Sequence, residues 1–321
     1  MAELQYRHRV AIIVLNHNGL SQKAEVFLKS LECAINSEEL NKEVILVDNG
    51  STDGSLEFVS QRFGPKLKLV GLGENRGHAA GMNAGAAACS SDVEFLVFAN
   101  NDVTYPAKLV SAIVEYMDRN PRIGVAGCME IIPGRPTNFC GSCYDLRLYN
   151  VAPKCGGQPC LVTTVENLIT VRGDVFRSLG GFDSELTNVF DEQELCIRVW
   201  MSGYQVVCIP NLSFVHVHTY PNKDTPARWI LDLRNKYIAM LKLYSLNTLP
   251  TLLFPRIVKD LYKALSDKDW RENNMFYHIL VHLLKLVRLL PVIVEFRLRY
   301  SSLKKYSEKY LFKIGVFRDV W

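Results

Sequence analysis

The sequence predicts an α/β protein, a mainly parallel sheet flanked by helices, with a basic helical segment after it. Three observations carry that prediction. Apolar runs rich in β-branched residues alternate with stretches of helical periodicity, the pattern of successive βαβ units. Each of these runs ends in polar, turn-forming residues. Beyond about residue 220 the pattern becomes helical throughout.

The chain has 321 residues, 48% hydrophobic and 22% charged. That is enough for one large domain and a smaller one, and it excludes a disordered or fibrous protein. The formal net charge of +4 hides an asymmetry. From Pro221 onward there are 19 Lys/Arg against 9 Asp/Glu, a net of +10, which leaves −6 for the rest. A division into 1–220 and 221–321 is expected, the two parts facing different partners.

Taken in order, the run from Val10 to Leu15 reads as a buried strand that ends in Asn16-His-Asn-Gly19. A helix is expected over 21–35. A second run, Glu43 to Val47, ends at Asp48-Asn-Gly-Ser-Thr-Asp-Gly54, with a helix starting near Ser55. A third strand spans Lys66 to Val70, followed by the small-residue segment Gly71–Gly85 and its helix. Val93 to Phe98 then leads into Ala99-Asn-Asn-Asp102. Residues 121–175 mix Pro, Gly and Cys with short apolar runs and read as strands and loops over one face of the sheet. Helices follow over 229–244, 249–265 and 275–300, with breaks expected at Pro250, Pro255 and Pro291. Ile279–Val294 is very apolar but carries His282, Lys285 and Arg288, so it suits a membrane interface better than a bilayer span.

Polar groups at the C-terminal ends of parallel strands are where open α/β sheets bind ligands. Asp48 would project from that edge, although turn chemistry alone favours an Asp that bonds its own backbone. Asp102 could bind a divalent cation if phosphates and another protein group complete the shell; a turn or helix cap is the alternative. Glu74–Gly85 lacks the Lys-Ser/Thr of a P-loop and the GxGxxG of a dinucleotide fold, which removes both readings. Asp191, Glu192 and Glu194 crowd three carboxylates within four positions. Their repulsion would raise a pKa as a general base requires, though acids at a helix N-terminus also complement its dipole. His216 and His218 alternate on a strand-like stretch, as two ligands of one metal would, or as a structural pair. Cys140, Cys143, Cys155 and Cys160 could hold zinc, form disulfides or stay free.

In this order the segments resemble a family 2 glycosyltransferase of the GT-A fold, similar to bacterial and archaeal rhamnosyltransferase-like members, over residues 8 to about 240. Val10–Gly19 resembles the first strand and its turn, and Val47–Ser55 the nucleotide-binding turn. Glu74–Gly85 resembles the Glu-Asn-x-Gly…Gly-x-Asn-x-Gly segment. Phe98–Asp102 resembles the Asp-x-Asp variant, with Asn100 in the first acidic place. The resemblance implies a Rossmann-like mixed, mainly parallel sheet flanked by helices over 1–220; the charge and apolar pattern of 221–321 add the expectation of a C-terminal helical extension on a membrane surface. It implies donor contacts from Asn16, Asp48, Asn75, Gly77, Asn83, Asn100 and Arg234, and a Mg²⁺ or Mn²⁺ ion held by Asp102 and His216. Glu192 or Asp191 would be the catalytic base, since this chain reads Asp191-Glu192-Gln-Glu-Leu195 where relatives have Glu-Asp-x-Asp-Leu. Glu166-Asn167 departs from a Gly-containing turn common among relatives.

The expected activity is inverting transfer of a sugar from a nucleotide-diphosphate sugar to an acceptor hydroxyl. The basic, aromatic-bearing C-terminal helices point to a lipid-linked acceptor and an anionic membrane surface, with no role for nucleic acid. No N-terminal segment reads as a signal peptide, so a peripheral protein on the cytoplasmic face of the cell membrane is expected. A catalytically impaired nucleotide-sugar-binding partner and a sugar nucleotidyltransferase are the rival readings.

Overall fold

The structure, a computed structural model, describes residues 8–135, 139–151, 155–218 and 225–318. The chain forms two compact units. The first comprises Met1–Ser142, Pro153–Val199 and Tyr204–Pro221; the second comprises Cys143–Ala152, Trp200–Gly203 and Asn222–Trp321.

The first unit opens as the sequence suggests. Strand β1 (Arg9–Asn16), helix α1 (Gly19–Ile35), strand β2 (Asn41–Asp48), helix α2 (Ser55–Phe63), strand β3 (Lys68–Gly71), helix α3 (His78–Ala88) and strand β4 (Phe95–Asn100) follow one another. Next come β5 (Val103–Thr104), α4 (Leu109–Arg119), β6 (Ile123–Ile131), β9 (Cys160–Leu161), β10 (Leu168–Arg172), α5 (Gly173–Ser178), α6 (Asp191–Met201) and β11 (Gln205–His216). The short strands β7 (Cys143–Tyr144) and β8 (Asn150–Val151) pair in the second unit.

The main sheet runs β3-β2-β1-β4-β10-β6-β11-β5, and β9 pairs with β11. Strands β3, β2, β1 and β4 are parallel. Strand β10 enters antiparallel between β4 and β6, while β11 lies parallel to β6. Consequently the C-terminal ends of β1, β2, β4, β6 and β11 and the N-terminal end of β10 share one edge. Every residue from Val10 to Val14 is fully buried, which explains the unbroken apolar run: a strand covered on both faces has no polar side. The small residues of α3 let it lie close against the sheet. A Cβ on Gly81 would meet Leu15 at 2.4 Å, and one on Gly85 would meet Ile13 at 2.4 Å.

In the second unit, α7 (Pro226–Leu243), α8 (Leu249–Ser266), α9 (Lys268–Glu272), α10 (Met275–Ser301) and α11 (Glu308–Lys313) pack with the β7–β8 pair. A buried ion pair, Arg256 Nε to Asp260 Oδ2 at 2.8 Å, gathers Tyr237 Oη (2.9 Å) and Tyr149 Oη (3.3 Å) onto the same carboxylate. The expected proline breaks do not occur at Pro255 and Pro291. Both lie inside continuous helices, and Pro250 occupies a first-turn position where no intrahelical N–H is needed. The inner stripe of α10, Met275, Ile279, Leu286, Ile293, Phe296 and Tyr300, is buried and carries the helix through Pro291.

Candidate active site

The end of β1 is wired to the turn after β2. Asn16 Nδ2 donates to Asp48 Oδ1 (3.1 Å) and to Ser51 Oγ (3.1 Å), and Ser51 donates its hydroxyl to Asp48 Oδ1 (2.5 Å) and its N–H to Asp48 Oδ2 (3.0 Å). Asn101 Nδ2 in turn donates to Asn16 Oδ1 at 3.0 Å. Asp48 is thereby fixed and nearly buried at the sheet edge. Gly50 (φ +73°) follows, and a Cβ there would stand 2.4 Å from the Glu74 carbonyl carbon, so only glycine lets the two loops meet.

The 74–77 loop is laced to that turn through Asn49. Its Oδ1 accepts from Arg76 N (2.9 Å), and its Nδ2 donates to Asn75 Oδ1 (3.1 Å) and Gly77 O (3.2 Å). Asn75 Oδ1 also accepts from Gly77 N at 3.0 Å. Asn75 and Gly77 therefore sit beside Asp48 and shape the loop itself. Asn83 binds the Gly180–Asp183 turn, donating to Phe182 O (2.8 Å) and accepting from Phe182 N (2.9 Å). Arg234 lies on α7 in the second unit, where its Nη1 donates to Asn235 Oδ1 at 2.7 Å.

Asp102, just past β4, and His216, the last residue of β11, face each other with Oδ1 and Nε2 3.0 Å apart, both almost fully buried. The other imidazole nitrogen of His216, Nδ1, bonds Glu130 Oε1 at 2.5 Å. His218 joins them by a different route from simple strand alternation. It lies beyond β11 in the left-handed region (φ 52°), and its ring centroid comes 3.8 Å from that of His216. Glu130, His216 and His218 each offer a ligand atom within 4.8 Å of the others. Burial works against protonation of His216, yet the hydrogen bonds its ring donates to the Asp102 and Glu130 carboxylates raise its pKa above the usual imidazole value.

At the start of α6 the three carboxylates separate in role. Glu194 is fully buried and bonded to Arg198, whose guanidinium also holds the carbonyls of Leu179 and Gly181, so this pair anchors the helix. Asp191 Oδ2 bonds His78 Nδ1 at 2.6 Å. Burial pulls the His78 pKa down, but the Asp191 carboxylate overrides it and lifts it to about 9. Both Glu192 oxygens accept the Asn167 N–H, at 3.0 and 3.1 Å. Burial pushes Glu192 up to about 8, with the His78 cation opposing and Asp191 and Glu166 assisting.

Asn167 is the hub of the site. Its amide N–H binds Glu192, its Nδ2 donates to Glu130 Oε2 (3.2 Å), its Oδ1 accepts from Asn100 Nδ2 (3.1 Å), and its carbonyl accepts from Asn100 N (3.1 Å). Its φ of 69° is the left-handed conformation that favours glycine and tolerates asparagine. This explains the departure at Glu166-Asn167 from a Gly-containing turn.

Sequence reasoning missed His78, Glu130 and Asn167 as site residues. Two of them carried a signal: Asn167 in the departure from a Gly-containing turn, and Glu130 as an acid near the end of the otherwise apolar strand β6.

A mixed sheet with polar turns, a carboxylate–imidazole cluster and a buried acid gathered at one edge has the architecture of the GT-A fold. Solved structures agree. GalNAc-T7 with UDP, GalNAc and Mn²⁺ superposes with a TM-score of 0.57 at 14% identity, over 85% of this chain; the chain spans 56% of that longer protein. The mannosyltransferase PcManGT from Pyrobaculum calidifontis, in complex with GDP-Man and Mn²⁺, gives 0.55 at 18% identity over 88% of this chain and 87% of its own. In sequence, residues 11–139 match the model of glycosyl transferase family 2. An N-acetylglucosaminyl-diphospho-decaprenol L-rhamnosyltransferase of Mycobacterium tuberculosis is 26% identical over 238 residues, 63% of this chain and 74% of that protein. Over residues 11–139, the chain is thus similar to family 2 glycosyltransferases.

Proposed function

We propose that this protein is an inverting, divalent-metal-dependent transferase that moves a sugar from a nucleoside-diphosphate sugar to a hydroxyl of a lipid-linked glycan or lipid. The observation that carries the reading is one connected network, Glu192–Asn167–Glu130–His216–Asp102, which joins a buried acid to a carboxylate–imidazole cluster on the ligand-binding edge of the sheet.

The cluster fits a divalent cation. Its donors are carboxylate oxygen and imidazole nitrogen without thiolate, the chemistry Mn²⁺ accepts and Mg²⁺ accepts through oxygen. Asp102 Oδ1 and His216 Nε2, 3.0 Å apart, would hold the ion, while Glu130 at His216 Nδ1 would favour the tautomer whose Nε2 can bind it. When bound, the cation offsets charge developing on the leaving diphosphate.

The protein residues supply the rest. The Asp48 turn and the 74–77 loop hold the nucleotide end, and their mutual hydrogen bonds keep that surface rigid before the donor arrives. Glu192 accepts the acceptor's hydroxyl proton as its oxygen bonds the anomeric carbon and the bond to the diphosphate breaks. A pKa near 8 makes Glu192 a stronger base than an ordinary carboxylate. His78 steadies Asp191 and keeps Glu192 ionisable near neutral pH.

A membrane-surface acceptor is supported by the second unit. Its basic chain leaves large apolar side chains in water: on α10, Tyr277, Leu280, Leu284, Val287, Val294 and Leu298 recur at helical intervals of three, four or seven residues, Leu284 and Leu298 each 72% exposed. Among the described residues no helix is long and apolar enough to cross a membrane. An exposed apolar stripe edged by Lys285, Arg288 and Arg299 suits the headgroup region of an anionic bilayer. A peripheral location follows.

Two measurements test this. Nucleoside diphosphate release from a panel of nucleotide sugars should require Mn²⁺ or Mg²⁺ and rise with a polyprenyl-linked acceptor. In flotation, the protein should rise with phosphatidylglycerol-containing vesicles, and Leu284→Glu with Leu298→Glu should lower the bound fraction at least about ten-fold, since each buried leucine contributes roughly 1.5–3 kcal/mol. Protein that stays with the soluble fraction and transfers equally to a water-soluble acceptor would remove the membrane half of the proposal.

A further inference from the structure

Four cysteines from three stretches of the first unit meet away from the network described above. Cys140 follows Phe139, Cys155 and Cys160 flank the turn that leads into β9, and Cys208 lies on β11 directly opposite Cys160 in the antiparallel register. They form two disulfides, Cys140–Cys208 and Cys155–Cys160. The pairs are not independent: the Sγ atoms of Cys140, Cys155 and Cys160 all lie within 4.8 Å of one another, and Cys208 Sγ is bonded to that of Cys140. Cys143, which the sequence spacing groups with Cys140, is a free thiol and no member of this cluster.

Four sulfurs so close match the requirement of a tetrahedral thiolate site, in which Zn–S bonds of about 2.3 Å place neighbouring sulfurs about 3.8 Å apart. The local fold also calls for a staple. Between Phe139 and Leu161 the described residues hold only two-residue strands, with little ladder hydrogen bonding to fix them. What the cluster ties down matters to the active site. Phe139 and Glu130 exchange backbone hydrogen bonds of 2.9 and 2.7 Å, so Cys140 is one residue from the partner of Glu130. Cys208 is on the strand that ends in His216.

We propose that in the reduced protein Cys140, Cys155, Cys160 and Cys208 bind one Zn²⁺ in a closed structural site, and that the two disulfides are the oxidised form of the same cluster. The interconversion balances. Each disulfide takes two electrons and two protons from a dithiol reductant, which is itself oxidised to a disulfide; Zn²⁺ then displaces the four thiol protons, leaving a tetrathiolate centre. Either form closes the same loops, so the wall carrying Glu130 and His216 stays in place across redox conditions.

The test uses the full chain, purified anaerobically with a dithiol and Zn²⁺ and then freed of unbound metal. Elemental analysis should find about one zinc per chain, and replacement by Co²⁺ should give the intense visible bands and thiolate charge-transfer absorption of a tetrahedral sulfur site. All nine cysteines should titrate as thiols after unfolding in chelator. Cys143→Ser should keep the zinc, whereas the double variant Cys155→Ser with Cys160→Ser should lose it. Folded, reduced wild type that retains no more zinc than the double variant would overturn the proposal. So would a Co²⁺ spectrum without sulfur charge transfer, which needs no variant to fold.

Discussion

Glu192→Gln is expected to lower kcat by about 10³-fold, within the 10²–10⁴-fold that a positioned general base contributes, while donor binding stays near the wild-type level. The amide keeps the size of the side chain and can still accept the Asn167 N–H, so the loss isolates proton transfer from folding. Wild-type kcat/KM should rise with pH along a limb of apparent pKa near 8, because the base works only when ionised. His78→Gln removes the cation that favours the ionised form, so the limb should move to higher pH. Such coupled groups titrate as a set, and the limb belongs to the cluster.

Stability carries the matching sign. The folded Glu192 holds its proton up to about pH 8 whereas an unfolded glutamate releases it near 4.5. The fold therefore loses stability as pH rises across that window. His78 adds stability that is complete below its unfolded value of 6.5 and disappears as pH passes about 9. Thermal scans of the wild type should show Tm falling from neutral pH toward pH 9, with a shallower fall in Glu192→Gln. Full activity in Glu192→Gln would move the base elsewhere. Intact donor binding with no transfer in the wild type would instead favour a nucleotide-sugar-binding partner that has lost catalysis.

The second large effect is expected at the cation cluster. Asp102→Ala should reduce transfer by more than about 10²-fold at any Mn²⁺ concentration, because loss of a direct ligand exceeds the 10–100-fold typical of residues that only orient one. Glu130→Gln should behave differently. With Glu130 acting through His216, its loss should raise the Mn²⁺ concentration for half-maximal activity by about 10–100-fold, and added Mn²⁺ should restore much of the rate. Equal, unrescued losses in both variants would make Glu130 a ligand in its own right.

The parts of the fold written locally were legible. Strands β1, β2 and β4 announce themselves as unbroken apolar runs, and Asn16, Asp48 and Asn100 fall at their ends because the turn residues mark where each strand stops. Helix α3 is readable from glycines whose missing side chains let it sit against Leu15 and Ile13. What stayed hidden is non-local. Strand β10 enters the sheet antiparallel, which no periodicity reveals, and only that insertion brings Asn167 beside Asn100, Glu130 and Glu192. His78 reads as one more residue of a small-residue motif until Asp191, 113 positions later, closes on it. The cysteines show the same limit: spacing grouped Cys140 with Cys143, but the β9–β11 pairing delivers Cys208 in its place. The helices of the second unit were legible from apolar periodicity, although Pro255 and Pro291 interrupt neither α8 nor α10; along α10 the buried stripe outweighs the one backbone hydrogen bond Pro291 removes.

In the proposed reaction one cation, held by Asp102 and His216, joins this chain to the diphosphate of a nucleotide sugar. Calorimetric titration with UDP, GDP and dTDP, with and without Mn²⁺, tests it most directly in wild type and Asp102→Ala. The expected result is tight binding of one of these nucleotides by the wild type, at least about ten-fold tighter with Mn²⁺ (a coupling of about 1.4 kcal/mol), and no such gain in Asp102→Ala. Binding that ignores both the cation and Asp102, or no binding of any of the three under any cation, would contradict it.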